Sequence, residues 1–157
     1  MPYRYIAGYL DADGSIQMLF VVRRIHQFRV RTFVSFYGTN KETMDWIGEH
    51  LGKKPVIRKP TGLMKTTLWQ VVFSDRDEIR NVLQKLMPFM IGKKHHAEIV
   101  LEALDILEER KWGEKHPLRI RELLLEISKL QIKGGAKTRK DVSSAEYDMH
   151  FETQPEK

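Results

Sequence analysis

The sequence predicts an α+β fold in which a four-stranded antiparallel sheet carries helices on one face and extra helices follow at the C-terminal end. Three observations predict it. Two runs of period-two alternation, rich in aromatic and β-branched residues, follow an apolar helix at the N-terminal end. A second pair of strand-like runs follows an amphipathic helical stretch, giving an αββαββα order. After that, apolar residues recur only at helical spacing.

The first helix covers roughly Pro2 to Leu10: Pro2 is tolerated in a first turn and Gly14 ends the segment. In the first strand Ile16, Met18, Phe20 and Val22 alternate with Gln17, Leu19, Val21 and Arg23. In the second, Phe28, Val30, Thr32, Val34 and Phe36 alternate with Arg29, Arg31, Phe33, Ser35 and Tyr37, and Arg24 to Gln27 form the turn between them. Thr39 and Glu42 have capping-box spacing before a helix from about Asn40 to Leu51, which Gly52 stops. Pro55 to Lys59 and Thr66 to Phe73 read as a second hairpin around Pro60-Thr61-Gly62. Ser74 can cap the next helix, apolar at Ile79, Val82, Leu83 and Leu86 and ended by Pro88. Lys93 to about Arg110 and a stretch opened by Pro117 complete the helices, the last broken by Gly134-Gly135. Residues 1–140 read as one domain and 141–157 as a polar tail.

Lys and Arg outnumber Asp and Glu by 27 to 21, a formal +6 that favours polyanionic partners only weakly. The absence of cysteine excludes disulfides, thiolate zinc sites and cysteine nucleophiles. No run is apolar and long enough to cross a bilayer, and no secretory leader opens the chain, so an intracellular protein with no membrane partner is expected.

Ile6-Ala7-Gly8-Tyr9-Leu10-Asp11-Ala12-Asp13-Gly14 runs an apolar, small-residue helix into two carboxylates. Ala7 and Gly8 let another helix approach closely, whereas an acidic helix C-terminus faces the negative pole of the dipole and calls for a cation or donors to compensate it. A calcium loop fails on ligand count, since Ser15, Ile16 and Val22 stand where the third oxygen ligand, the glycine and the glutamate belong. One carboxylate alone holds Mg²⁺ poorly. Two copies of Asp13 meeting across a two-fold axis would supply what a metal needs beside a phosphodiester. The plainer alternative is a tightly packed helix whose Asp11 and Asp13 cap a neighbouring element. Adjacent His95 and His96 lack the i,i+4 spacing of a zinc pair and read as interface or surface residues. Lys93 and Lys94 open a helix where the dipole does not favour a cation. They read either as surface lysines or as a lysine held near phosphate.

Gln17, Arg23, Arg29, Arg31, Ser35, Tyr37, Arg58, Lys65 and Gln70 fall on the polar face of the sheet, together with Leu19, Val21, Phe33 and Leu68. Arg and Gln pair with base edges, Lys and Arg neutralise phosphates, and apolar side chains meet thymine methyls. A solvated sheet face is the alternative, although the apolar members are unusual for plain exposure.

The stretch from Ile6 to Gly14 resembles the namesake motif of the LAGLIDADG homing endonucleases, and the element order matches that family's core. Pro88-Phe89 followed by Lys93, and Lys137-Thr138-Arg139-Lys140, resemble segments of its single-motif homodimeric branch. The resemblance implies a site-specific double-strand DNA endonuclease of intron homing, with Mg²⁺ as cofactor, a long pseudo-palindromic DNA as partner, a homodimer, and no small-molecule substrate. It implies that Asp13 and the Ala12 carbonyl bind metal and that Lys93 stabilises charge on the phosphate. It further implies that Asn40 would orient water, at a position where the family often has glutamine. Lys137 and Lys140 would touch phosphates, and Ala7, Gly8 and Asp11 would form the helix pair at the interface. Relatives that act as intron maturases, and a non-catalytic DNA-binding protein of the same fold, are the rival readings. The expected setting is the cytoplasm of a prokaryote or an organelle.

Overall fold

The computed structural model describes residues 2–24, 27–60, 62, 66–111 and 116–132, with the side chains of 22–24, 27, 28, 131 and 132 outside that description. The described helices are α1 (Pro2–Asp13), α2 (Lys41–Leu51), α3 (Arg76–Leu86), α4 (Lys94–Glu109) and α5 (Leu118–Ile132). The strands are β1 (Ser15–Arg24), β2 (Gln27–Gly38), β3 (Val56–Arg58) and β4 (Leu68–Phe73), in the spatial order β1-β2-β4-β3. This is the expected α+β arrangement of a four-stranded antiparallel sheet with C-terminal helices. None of the described helices is long and apolar enough to cross a membrane.

The chain divides into two compact units, Met1–Ile16 with Thr32–Ala97, and Gln17–Arg31 with Glu98–Lys157. In the first unit, Ile6, Ala7 and Leu10 of α1, Met44 and Ile47 of α2, and Ile79, Leu83 and Leu86 of α3 are wholly buried with Val34, Phe36 and Val71 of the sheet. Each large side chain so buried contributes about 1.5–3 kcal/mol. The pairing Val34↔Phe73, Phe36↔Val71 and Ser35↔Val72, Tyr37↔Gln70 splits the strands into alternate faces, because directly opposed residues project the same way. In the second unit, Met18, Phe20 and Val30 are buried, as are Ile99, Val100, Ala103 and Leu104 of α4 and Ile120, Leu123 and Ile127 of α5. Phe20 there meets the buried His116 edge-on at 6.0 Å.

Several boundaries differ from the sequence expectation. α1 runs on through Asp11 and Ala12 to Asp13, because Gly14 donates its backbone N–H to Tyr9 O and Leu10 O and closes the last turn. A Cβ at Gly14 would stand 2.5 Å from Leu10 Cδ1 and 2.9 Å from Ser35 O, so only glycine fits between the helix end and β2. The N-cap of α2 is Asn40, whose Oδ1 accepts from Thr43 N at 3.1 Å, in place of the Thr39 capping box. Asp75, not Ser74, caps α3, accepting from the N–H groups of Asp77 and Glu78. A carboxylate at N-cap also meets the positive end of the dipole, which a serine hydroxyl does less well. Gly52 ends α2 as expected, in the left-handed region at φ 75°. β3 and β4 are shorter than the runs read for them.

Candidate active site and nucleic-acid face

The acidic end of α1 meets the start of α4 in a reciprocal exchange. Asp11 accepts from three successive backbone N–H groups: Ile91 (2.7 Å) and Gly92 (3.1 Å) on Oδ2, and Lys93 (2.8 Å) on Oδ1. In return, Lys93 Nζ donates to the carbonyls of Leu10 (3.0 Å) and Asp11 (2.6 Å) in the last turn of α1, the first of which also accepts from Gly14 N. The two helix ends thereby satisfy each other. Burial pushes the Asp11 carboxyl up, but the three N–H donors and the Lys93 charge outweigh it and hold the pKa below the ordinary value. Burial lowers the Lys93 ammonium, with Asp11 and Asp13 pulling the other way. His96, three residues beyond Lys93, is held below the ordinary histidine range by burial and by the charges of Lys93 and His95, against Asp11. Its Nδ1 is buried with no hydrogen-bond partner.

Asp13 is the last residue of α1 and is exposed, and nothing among the described residues hydrogen-bonds its carboxylate. Its charge reaches Lys93 and Tyr9. Ala12 beside it is exposed too. The helix end therefore spends one carboxylate, Asp11, on structure and leaves the other open to solvent. Hard carboxylate and carbonyl oxygens suit a divalent cation. Among the described residues no three His, Asp or Glu side chains converge on one point.

The expected helix-contact residues need one correction. Ala7 has no exposed surface: it packs inside its own chain and is not available to a second helix. Gly8 is exposed and a Cβ there would meet nothing within 4 Å, so the open stripe of α1 is Gly8 and Ala12, one turn apart. Asn40 sits exposed at the start of α2 with its side-chain oxygen engaged in capping. Sequence reasoning missed the use of Lys93 as a cap. The signal was there: a lysine at a helix start is unfavourable by the dipole unless its charge is spent elsewhere.

In the first unit, the register sets Tyr37 opposite Gln70, Gln70 opposite Val56, and Arg58 opposite Leu68, so these share one face with Phe33. Arg58 is exposed, and Phe33, Tyr37, Leu68 and Gln70 are half-buried. Ser35 is the exception among the expected contacts. It is 3 % exposed, covered beside Gly14, and presents no surface. In the second unit, Gln17, Leu19 and Val21 of β1 are half-buried and Arg29 and Arg31 of β2 are exposed, at positions alternating with buried Met18, Phe20 and Val30. The Arg23 side chain, Lys65, Lys137 and Lys140 lie outside the described residues.

No family model matches the sequence. The chain is 25% identical over 141 residues to DNA endonuclease I-CreI of Chlamydomonas reinhardtii, covering 88% of this chain and 82% of that protein. An archaeal intron-encoded homing endonuclease solved in complex with DNA superposes with a TM-score of 0.70 at 23% identity, over 92% of this chain and 90% of that one. The homing endonuclease I-CvuI, solved with its target in the presence of 2 mM Ca, gives 0.68 at 23% identity, over 92% and 88%. The fold is similar to that of these solved homing endonucleases, and the sequence is similar to that of one such endonuclease. The likeness in sequence to I-CreI runs along most of the chain's length.

Proposed function

We propose that this chain is a site-specific DNA endonuclease of intron homing that acts as a homodimer on a long, pseudo-palindromic duplex with Mg²⁺. The observation that carries the reading is the unspent carboxylate of Asp13 at the end of α1, next to an open Gly8–Ala12 stripe and braced by the Asp11–Lys93 exchange. Two such helices laid side by side bring two Asp13 carboxylates together, and a two-fold protein matches a two-fold site. The DNA and divalent cations with which the structural neighbours were solved support the choice of partner and cofactor.

Asp13 and the Ala12 carbonyl would hold the ion. When bound, it supplies the charge that neutralises a phosphodiester and lowers the pKa of attacking water. Asp11 fixes the angle between α1 and the 91–93 turn, and so fixes where Asp13 points. Lys93 holds its ammonium against two carbonyls within reach of the Asp13 charge, ready to balance a phosphate with its remaining N–H. Arg29, Arg31 and Arg58 supply cations for the DNA backbone or guanine edges. Gln17 and Gln70 supply amide pairs for adenine, and Leu19, Val21, Phe33 and Leu68 supply apolar contacts. The activity belongs to the cell interior, where the target DNA is.

The test is selection of cleaved molecules from a randomised duplex library with Mg²⁺. The expected product is one long sequence with mirrored half-sites. Recovery of tightly bound but uncut DNA would favour a binding protein. Splicing assistance without any cut site would favour the maturase reading.

A further inference from the structure

The exposed side of α1 has two unlike flanks around its Gly8–Ala12 centre. On one stands Arg4, whose guanidinium lies 5.7 Å over the Phe89 ring. On the other stands Tyr5, 54% exposed, which meets Trp46 of α2 edge-on at 5.4 Å, while Trp46 and His50 meet tilted at 47° with ring centres 4.3 Å apart. Between this flank and α2 lies an open groove of about 660 Å³ lined by Pro2, Tyr5, Glu42, Thr43, Trp46 and His50. The groove is aromatic with one carboxylate on its rim. Glu42 is exposed and makes no hydrogen bond or ion pair among the described residues, and Arg4 has there only the Phe89 ring.

Symmetry says what meets this groove. If two Asp13 carboxylates are to lie together, the paired helices must run in the same direction. Antiparallel about Gly8, their Asp13 residues would stand about 15 Å apart at 1.5 Å per residue. A two-fold axis along parallel helices sets the left flank of one against the right flank of the other, never like against like. The Arg4 flank of one copy thus faces the Tyr5–Trp46 flank of its partner. The levels agree as well, since Arg4 adjoins Tyr5 in sequence and Tyr5 and Glu42 line the same groove. A planar guanidinium stacks on aromatic faces and pairs with a carboxylate, which a lysine does less well.

We propose that Arg4 of each subunit seats in the partner's Pro2–Tyr5–Trp46 groove, over Trp46 and against Glu42, and that this reciprocal contact holds the dimer beyond the small-residue stripe. It rests on the homodimer proposed above.

The test is a charge swap followed by sedimentation and native mass spectrometry. Both residues are exposed, and circular dichroism verifies that each variant folds. Arg4→Glu and Glu42→Arg should each weaken self-association about ten- to hundredfold, because each places two like-charge contacts in the dimer. Their equimolar mixture should recover a wild-type-strength dimer, and that dimer should be almost entirely the heterodimer, in which both contacts are again of opposite sign. If the wild type dimerises but the single variants do so equally well, or the mixture shows no heterodimer preference, the Arg4 socket is wrong and the dimer stands. If the wild type remains monomeric even on its cleaved DNA site, the dimer reading fails and takes the socket with it.

Discussion

Replacing Asp11 by alanine removes the acceptor for three backbone N–H groups at once, those of Ile91, Gly92 and Lys93. It also removes the carboxylate beside the Lys93 ammonium. A single helix-cap side chain is worth about 0.5–2 kcal/mol, and a hydrogen bond to a charged group about 1.5–3 kcal/mol when water is excluded. Ile91 and Gly92 are exposed, so water replaces part of what they lose. The half-buried Lys93 N–H is the costliest to orphan. Together these place the loss at about 2–3 kcal/mol, which for a chain of this size lowers Tm by roughly 5–10 °C. Urea unfolding followed by circular dichroism measures it, and equal slopes for the two proteins show that only stability has moved. A loss under about 0.5 kcal/mol, on the scale of a neutral surface change, would refute the view that Asp11 ties the two helix ends together.

Three further outcomes are expected. Gly14→Ala should destabilise by about 1–3 kcal/mol in the same unfolding assay, since its Cβ meets Leu10 and the Ser35 carbonyl inside contact distance. Gly8→Leu should leave the monomer's Tm unchanged or raised, because a side chain there meets nothing within the chain, yet it should abolish dimer formation by sedimentation. Because the pKa of His96 is lowered in the folded state, the unfolded chain takes up that proton first. Stability from this residue is complete above about pH 6.5 and is lost as pH falls from there through the folded pKa. His96→Gln should flatten that part of the Tm-against-pH curve, and an unaltered slope would show that His96 is not its source.

The fold was legible where side-chain period and turn residues agree. Alternation reported the two strands, with Ile16, Met18 and Phe20 of one and Val30, Thr32, Val34 and Phe36 of the other buried, and Met44, Ile47, Ile79, Val82, Leu83 and Leu86 reported helices by their spacing. An exposed carboxylate near the end of α1 was legible in the acidic Asp11-Ala12-Asp13 run, which is costly at a helix C-terminus and so calls for a reason. What stayed hidden were contacts between residues about eighty apart. Nothing in the local pattern says that Asp11 receives the 91–93 amides, or that Lys93 turns away from its own helix to cap another. Ala7 misled for a related reason. A small residue permits close approach without saying whose helix approaches, and here it is the chain's own core that does. Caps at Asn40 and Asp75 were misplaced by one residue because neighbouring Thr39 and Ser74 are also cap formers and backbone geometry decides between adjacent candidates.

The central claim is that Asp13 is the metal-holding carboxylate of a nuclease and does not serve the fold. The direct measurement is single-turnover cleavage of the selected DNA site with Mg²⁺ by Asp13→Asn, alongside the affinity of the same protein for that site. Asn preserves the shape of the side chain and deletes its charge, and Asp13 is exposed with no hydrogen bond among the described residues. The expected result is unchanged Tm, DNA affinity within a few-fold of wild type, and cleavage reduced by about a thousandfold or more. Cleavage at the wild-type rate would contradict it.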